Sequence, residues 1–234
     1  MTLGLGPAEW AALALSLKVS FWAVLVSLPL AVGVAWLLAR KQFPGKAVLS
    51  ALVHLPLVLP PVVTGYLLLL TFGLNGAVGR MLADWGIVFA FRWTGAALAA
   101  AIMGFPLMVR AIRLAIEAVD PKLEQAAETL GAGRMARFRT VTLPLIAPGI
   151  LAGVVLGFAK AMGEFGATIT FVANIPGETQ TLPSAVYAFL QVPGGEGGAI
   201  RLVVLAVVVA LGAVLVSEWL ARRVARRIGQ EAPR

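Results

Sequence analysis

The chain reads as an all-α, polytopic membrane protein with about five transmembrane helices and a charged loop between the third and fourth. Three observations predict this. First, 60% of the residues are hydrophobic and only 13% charged, with a mean hydropathy of +0.92, which is more apolar surface than one soluble core of 234 residues can hide. Second, several apolar runs reach the roughly 20 residues that a hydrocarbon core of about 30 Å demands of a helix. Third, the basic residues are distributed unevenly among the loops between those runs.

The first run, 10–39, is too long for one upright span. Its membrane part is placed at 19–38, with 10–18 and its Lys18 as an amphipathic lead-in. The N-terminal MTLGLGPAEW has neither a basic n-region nor a small-residue cleavage site, so the first span is expected to be retained. The second, 48–72, contains Pro56, Pro60 and Pro61. Proline brings no N–H and clashes with the preceding turn, so this span is expected to bend or unwind. The third, 93–116, continues through Arg110, Arg113 and Glu117 at helical spacing into water. The fourth, 145–170, carries Lys160 and Glu164 four residues apart, close enough for an ion pair along the helix. The fifth, 202–220, leads into a basic tail, 222–234, and the apolar piece 182–190 is too short to span and reads as a re-entrant or surface helix. Residues 11–221 are expected to form one transmembrane domain.

Arg40, Lys41 and Lys46 fall on one side with Arg110, Arg113, Lys122, Arg134, Arg137, Arg139 and the tail arginines, whereas Lys18, Arg80, Arg92 and Arg201 fall on the other. The positive-inside rule places the loop and the C-terminus in the cytoplasm and the N-terminus outside. That asymmetry also accounts for the net charge of +8 without nucleic acid. The absence of cysteine excludes disulfides, thiolate metal sites and cysteine nucleophiles. His54, the single histidine, leaves little room for a metal site and reads as a satisfied polar anchor near the cytoplasmic interface. There is no Gly-x-x-x-x-Gly-Lys-Ser/Thr phosphate loop, so no ATP site is expected on this chain, and the lack of an internal repeat weighs against an inverted-repeat secondary transporter.

The loop EQAAETLGAGRMARFRTVTLP, 124–144, is the segment best suited to be gripped by another protein. Asp120 and Pro121 form a helix start and Gly131 a left-handed stop. Between them Leu123, Ala126, Ala127 and Leu130 share a face, kept low by the alanines so that a partner's backbone can approach. A second short helix is expected to carry Arg134, Arg137 and Arg139 until Pro144 restarts the chain into the membrane. Composition alone leaves open a plain basic hairpin that packs beneath the bundle and touches lipid headgroups. A DNA-reading helix-turn-helix is disfavoured because membrane spans tether both ends.

The spacing in this loop is a pair of alanines (Ala126, Ala127), three residues, Gly131, nine residues, then Val141-Thr142-Leu143-Pro144. It resembles the coupling loop of type I ABC importer permeases, with Gln125 at the family's leading acidic position, Val141 at its isoleucine, and Glu124 and Glu128 flanking. RKQFPGKA at 40–47, HLPLVLPPVVTGYLLL at 54–69, FPLMVRAIRLAIE at 105–117 and GEFGATITFVANIPGET at 163–179 extend the resemblance over nearly the whole chain, to the molybdate permeases of that class. The resemblance implies the type I importer permease fold in the inner membrane. It also implies a homodimer with its path on the two-fold axis, two cytoplasmic ATPase subunits that hold ATP and Mg, an external binding protein, and no cofactor on this chain. Glu124, Gln125, Ala126, Ala127, Glu128, Gly131, Val141, Leu143 and Pro144 would then form the ATPase-coupling loop.

Candidate path residues lie in the second and fourth spans. Pro60, Pro61 and Thr64 either expose backbone groups to a hydrated path or merely shape a kink. Glu164 either stands near an external gate or is simply a paired charge near the outer interface. Thr168, Thr170 and Asn174 offer uncharged donors suited to a passing dianion, unless they satisfy their own backbone. The rival readings are a tungstate or sulfate permease of the same class, a secondary oxyanion transporter or channel, and a closed membrane anchor.

Overall fold

Residues 6–227 are described by a computed structural model, and among them every regular element is helical. In chain order these are α1 (Pro7–Arg40), α2 (Lys46–Val58), α3 (Pro61–Phe72), α4 (Ala77–Ala83), α5 (Trp93–Glu117), α6 (Pro121–Thr129), α7 (Arg134–Arg137), α8 (Leu143–Met162), α9 (Gly166–Val172), α10 (Leu182–Leu190) and α11 (Glu196–Arg227). Among the described residues four helical stretches are long and apolar enough to cross a membrane, and the broken pair α2–α3 makes a fifth candidate span.

α5 is the central post. Its alanine-rich half, Ala96, Ala97, Ala99 and Ala100, packs with Leu15, Val19 and Ala23 of α1 and with Ala161 of α8. Its other half, Val109, Ile112 and Ile116, packs with Ala31, Ala35 and Leu38 of α1 and Ile146 of α8. These contacts run α1 parallel and α8 antiparallel to α5. Glycine permits the approach: a Cβ on Gly104 would lie 3.1 Å from the Gly157 carbonyl oxygen, and one on Gly149 would lie 2.1 Å from Ala115 Cβ. In lipid no hydrophobic force drives helices together, so small residues that let backbones meet and gain dispersion contacts set the packing.

The structure changes several expected elements. The lead-in at 10–18 is not a separate piece: α1 is continuous from Pro7, whose missing N–H costs nothing at a helix start. Glu9, Ala12, Leu13, Leu15 and Ser16 are buried there, and the Lys18 ammonium lies 3.7 Å from the centroid of the Trp93 ring. Packing has absorbed what looked interfacial. Pro144 does not restart the chain either, because helical backbone runs unbroken from Arg134 to Met162. A π turn at Phe138–Thr142, with the Leu143 N–H reaching back to the Phe138 carbonyl, widens the helix just before a residue that has no N–H to give.

The second span bends as its prolines require. The path from α2 to α3 is bent by 113°, yet together they still carry the chain from the loop end, where Val53 packs near Val109 and Ile112, to the far end, where Phe72 meets Phe89 edge-on at 5.9 Å. The fourth span, expected as one helix to 170, ends at Met162 and resumes as α9 after residues 163–165. α10 lies at the far end, where Leu182 and Ala185 pack with Ala12, Leu13 and Leu202, and the Leu182 N–H donates to Ser16 Oγ at 2.7 Å. α4 has no counterpart among the expected elements. α11 starts before 202 and continues into the basic tail as far as Arg227; residues 228–234 of that tail lie outside the described residues.

α3 and α9 touch backbone to backbone: a Cβ on Gly65 would lie 2.4 Å from the Ala167 carbonyl oxygen. Gly65→Ala is therefore expected to lower stability by about 1–3 kcal/mol, the usual cost of overpacking. Gly33→Ala, where a Cβ meets nothing within 4 Å, serves as the control. Thermal unfolding in detergent should show a lower midpoint for the first and none for the second.

Candidate functional site

Two regions gather the candidate residues. The first is the loop. The Asp120 carboxylate accepts from the Lys122 N–H at 2.9 Å and caps α6, whose first turn Pro121 pre-shapes. Gly131 takes φ +84°, a left-handed value that ends the helix without the strain a Cβ would bring. The chain then turns into α7.

Two ion pairs hold this hairpin. Glu124 Oε1 accepts from Arg40 Nη2 at 3.0 Å and from Thr142 Oγ1 at 2.7 Å, so the end of α1, the start of α6 and the end of the π turn meet at one carboxylate oxygen. Arg137 pairs with Glu128 across the turn. Of the two acidic residues flanking Gln125, Glu124 is thus committed inward, and Glu128 keeps most of its side chain in the open. The expected low face is exposed: Leu123 and Leu130 are 48% and 88% exposed, with Ala126 open and Ala127 half-buried between them. Gln125 and Leu143 are also exposed, whereas Val141 and Pro144 are half-buried at the root of α8. A groove of about 600 Å³ opens beside the hairpin, between Trp36 and Lys41 of the α1 end and Arg134 and Phe138.

The second region is where the two broken spans meet. The break between α2 and α3, at Leu59 and Pro60, lies beside the break between α8 and α9: a Cβ on Gly166 would lie 2.8 Å from Pro61 Cβ. Glu164 sits inside the second break and is almost wholly buried. One of its oxygens, Oε1, accepts from the Ala167 N–H at 2.9 Å and caps the first turn of α9; the other, Oε2, accepts from Lys160 Nζ at 2.8 Å. A charge at membrane depth costs about 2.5–3.5 kcal/mol on insertion scales. Here each charge offsets the other, and the backbone shares the load.

The remaining candidates divide. Thr168 Oγ1 donates to the Phe165 carbonyl and Thr170 Oγ1 to the Gly166 carbonyl, both at 2.8 Å, so these hydroxyl hydrogens are spent within α9. The Asn174 amide donates weakly to the Ser184 carbonyl at 3.4 Å, and its Oδ1 is buried without a partner among the described residues. Thr64 Oγ1 is likewise buried and unpartnered there. His54 is satisfied outside both regions, its Nδ1 lying 2.7 Å from the Ser50 carbonyl oxygen. Arg40 joins the loop from outside it, and Thr142, within it, takes a role that no local pattern marks, since their carboxylate partner lies 84 and 18 residues away in sequence. Among the described residues no group of three or more His, Cys, Asp or Glu could hold a metal ion.

A bundle of membrane-length helices, broken at two adjacent points and bearing an ion-paired helical hairpin at one end, is the architecture of a multi-span membrane protein. Residues 27–230 match the family described as binding-protein-dependent transport system inner membrane component. The chain belongs to that family. It is 63% identical over 223 residues to the molybdenum transport system permease protein ModB of Escherichia coli (strain K12), covering 95% of this chain and 97% of that one. It is 41% identical over 157 residues to the sulfate transport system permease protein CysT of Salmonella typhimurium (strain LT2), covering 67% of this chain and 57% of that one. The fold matches a bacterial ABC transporter involved in the import of the acidic polysaccharide alginate, with a TM-score of 0.71 at 21% identity, over 95% of this chain and 82% of that one.

If Glu124 ties the loop to α1, Arg40→Ala and Glu124→Ala should each raise amide exchange across residues 121–129. The double variant should add little to either single change, a coupling of about 1 kcal/mol in a double-mutant cycle. Additive effects would dissolve the tie.

Proposed function

We propose that this chain is the membrane permease of an ATP-driven importer that carries molybdate inward, working as half of a homodimer. The observation that carries the reading is the end-to-end match, at 63% identity, to a molybdenum permease. The match to a sulfate permease is weaker and shorter, which ranks sulfate second among the oxyanions. Tungstate, a tetrahedral dianion like molybdate, stays within the same reading.

In this reading the loop end is cytoplasmic, the N-terminus lies outside, and ATP and Mg belong to two partner ATPase subunits. The stripe of Leu123, Ala126, Ala127 and Leu130 supports a seat in an ATPase groove: an apolar face on a 9-residue helix, left largely open by the described residues, is suited to a helix-in-groove contact. Gln125 and Glu128 border that face, and Gly131 limits its length. Val141, Leu143 and Pro144 join the hairpin to α8 without a break, so displacement of the hairpin is transmitted to α8 as a rigid lever. α8 ends at the paired breaks, which supports a path along Pro60, Pro61, Thr64 and Glu164, with Thr168, Thr170 and Asn174 behind them. A binding protein outside would deliver the anion, and closure of the ATPase pair would switch the side to which the path opens. Unlike a secondary transporter, such a permease does no work without ATP.

Proteoliposomes holding this chain, its ATPase and a molybdate-loaded binding protein should take up molybdate only when ATP is supplied. Uptake driven by an ion gradient without ATP would overturn the importer reading, and competition by sulfate and tungstate ranks the anions. Gly131→Val, which forces a β-branched side chain to φ +84°, should leave membrane insertion intact and uncouple ATP hydrolysis from uptake. Coupled uptake at the normal ratio in that variant would remove the loop from the coupling path.

A further inference from the structure

Down one side of α8 run Ala152, Leu156 and Lys160, at i, i+4 and i+8. The other sides are taken. Gly153, Gly157 and Ala161 face α5; Leu151 and Val154 border α1; and Val155 and Met162 border α11, with Ala159 exposed at the rim of that groove. The remaining stripe is open, with Ala152 and Leu156 exposed and Lys160 partly so. An ammonium stands on it at depth. Gly157 lies opposite Gly104, so Lys160, nearly one turn further along, lies about level with the alanines in the outer half of α5. Among the described residues it is the sole Lys or Arg between the level of Trp93, where Lys18 stacks, and that of Arg110. A cation at such depth faces protein or water rather than acyl chains.

We propose that Lys160 is the in-membrane contact for the transported oxyanion, released to it by Glu164. This rests on the importer reading above. The arrangement allows a transient contact. Glu164 holds Lys160 with one oxygen only, and its other oxygen stays on the Ala167 N–H, so the carboxylate remains anchored when the ammonium swings away. Empty, the pair is neutral and holds no stray anion. With a tetrahedral dianion present, the ammonium offers three donors to its oxygens, while the nearby carboxylate repels the same charge and keeps the contact short-lived. Conduction needs binding strong enough to enter and weak enough to leave. Glu164 is a positioning residue in this scheme, and Lys160 is the group that touches substrate.

Because the chain has no native cysteine, the charge at this position can be removed and returned chemically. Lys160→Cys in the reconstituted importer should lose about tenfold or more of its ATP-dependent molybdate uptake while ATP hydrolysis is still stimulated by the loaded binding protein. An ammonium-bearing methanethiosulfonate should restore uptake, and the neutral methyl reagent should not. Molybdate should slow the labelling. Lys160→Met/Glu164→Gln keeps an oxygen for the Ala167 N–H and removes both charges, so it separates a structural role from a contact. Uptake within about twofold of wild type in that double variant, or equal rescue by the neutral reagent, would overturn the proposal. Failure of the wild-type chain to take up molybdate would instead overturn the importer reading itself.

Discussion

Close backbone contact along α5 is the constraint on which the other elements depend. Alanine and glycine on α5 and α8 let the helices approach until a Cβ at Gly104 or Gly149 would press on its neighbour, and that proximity gives a membrane bundle its dispersion energy. α1, parallel to α5, and α8, antiparallel to it, take their positions from this contact. Their loop-side ends are brought together as a result, and Arg40 comes within reach of Glu124. A larger side chain on that seam would separate the helices and with them the anchor of the hairpin.

The hairpin and the breaks are linked through α8. At one end the π turn and Pro144 join the loop to the helix without a hinge; at the other the helix stops at Gly163, beside the kink of the second span. Unwound backbone at membrane depth needs its N–H groups satisfied. Glu164 does this for α9 through the Ala167 N–H, and α3 begins with Pro61, which has no N–H to satisfy. The chain therefore places its irregular backbone where a side chain or a proline removes the penalty.

Particular residues show how much of this was legible. The kink at Pro60 and Pro61, the cap at Asp120, the stop at Gly131 and the i,i+4 pair of Lys160 and Glu164 all follow from local chemistry, and all appear where the residues predict. The break after Met162 is not legible in the apolar run 145–170, because the close approach of Pro61 to Gly166 that accompanies it is a contact between spans 105 residues apart in sequence. Ser16 lies in the stretch 10–18 that reads as an amphipathic lead-in, and Glu9 just precedes it. They are buried because α10 and α11 fold back over the start of α1, where Arg201 meets Glu9 at 2.8 Å.

Sequence alone determined the class of this protein: its apolar run lengths and loop charge asymmetry are local properties that a membrane reads directly, and the spacing of its loop is a local pattern as well. Tertiary structure decided which polar groups are free. Ser16 was engaged by the Leu182 N–H, Glu124 was turned inward to Arg40, and Lys160 was left partly exposed on an uncovered stripe. The physical reason is that a hydrogen bond or a buried face depends on what lies across the bundle, and neighbours there are set by packing rather than by order along the chain.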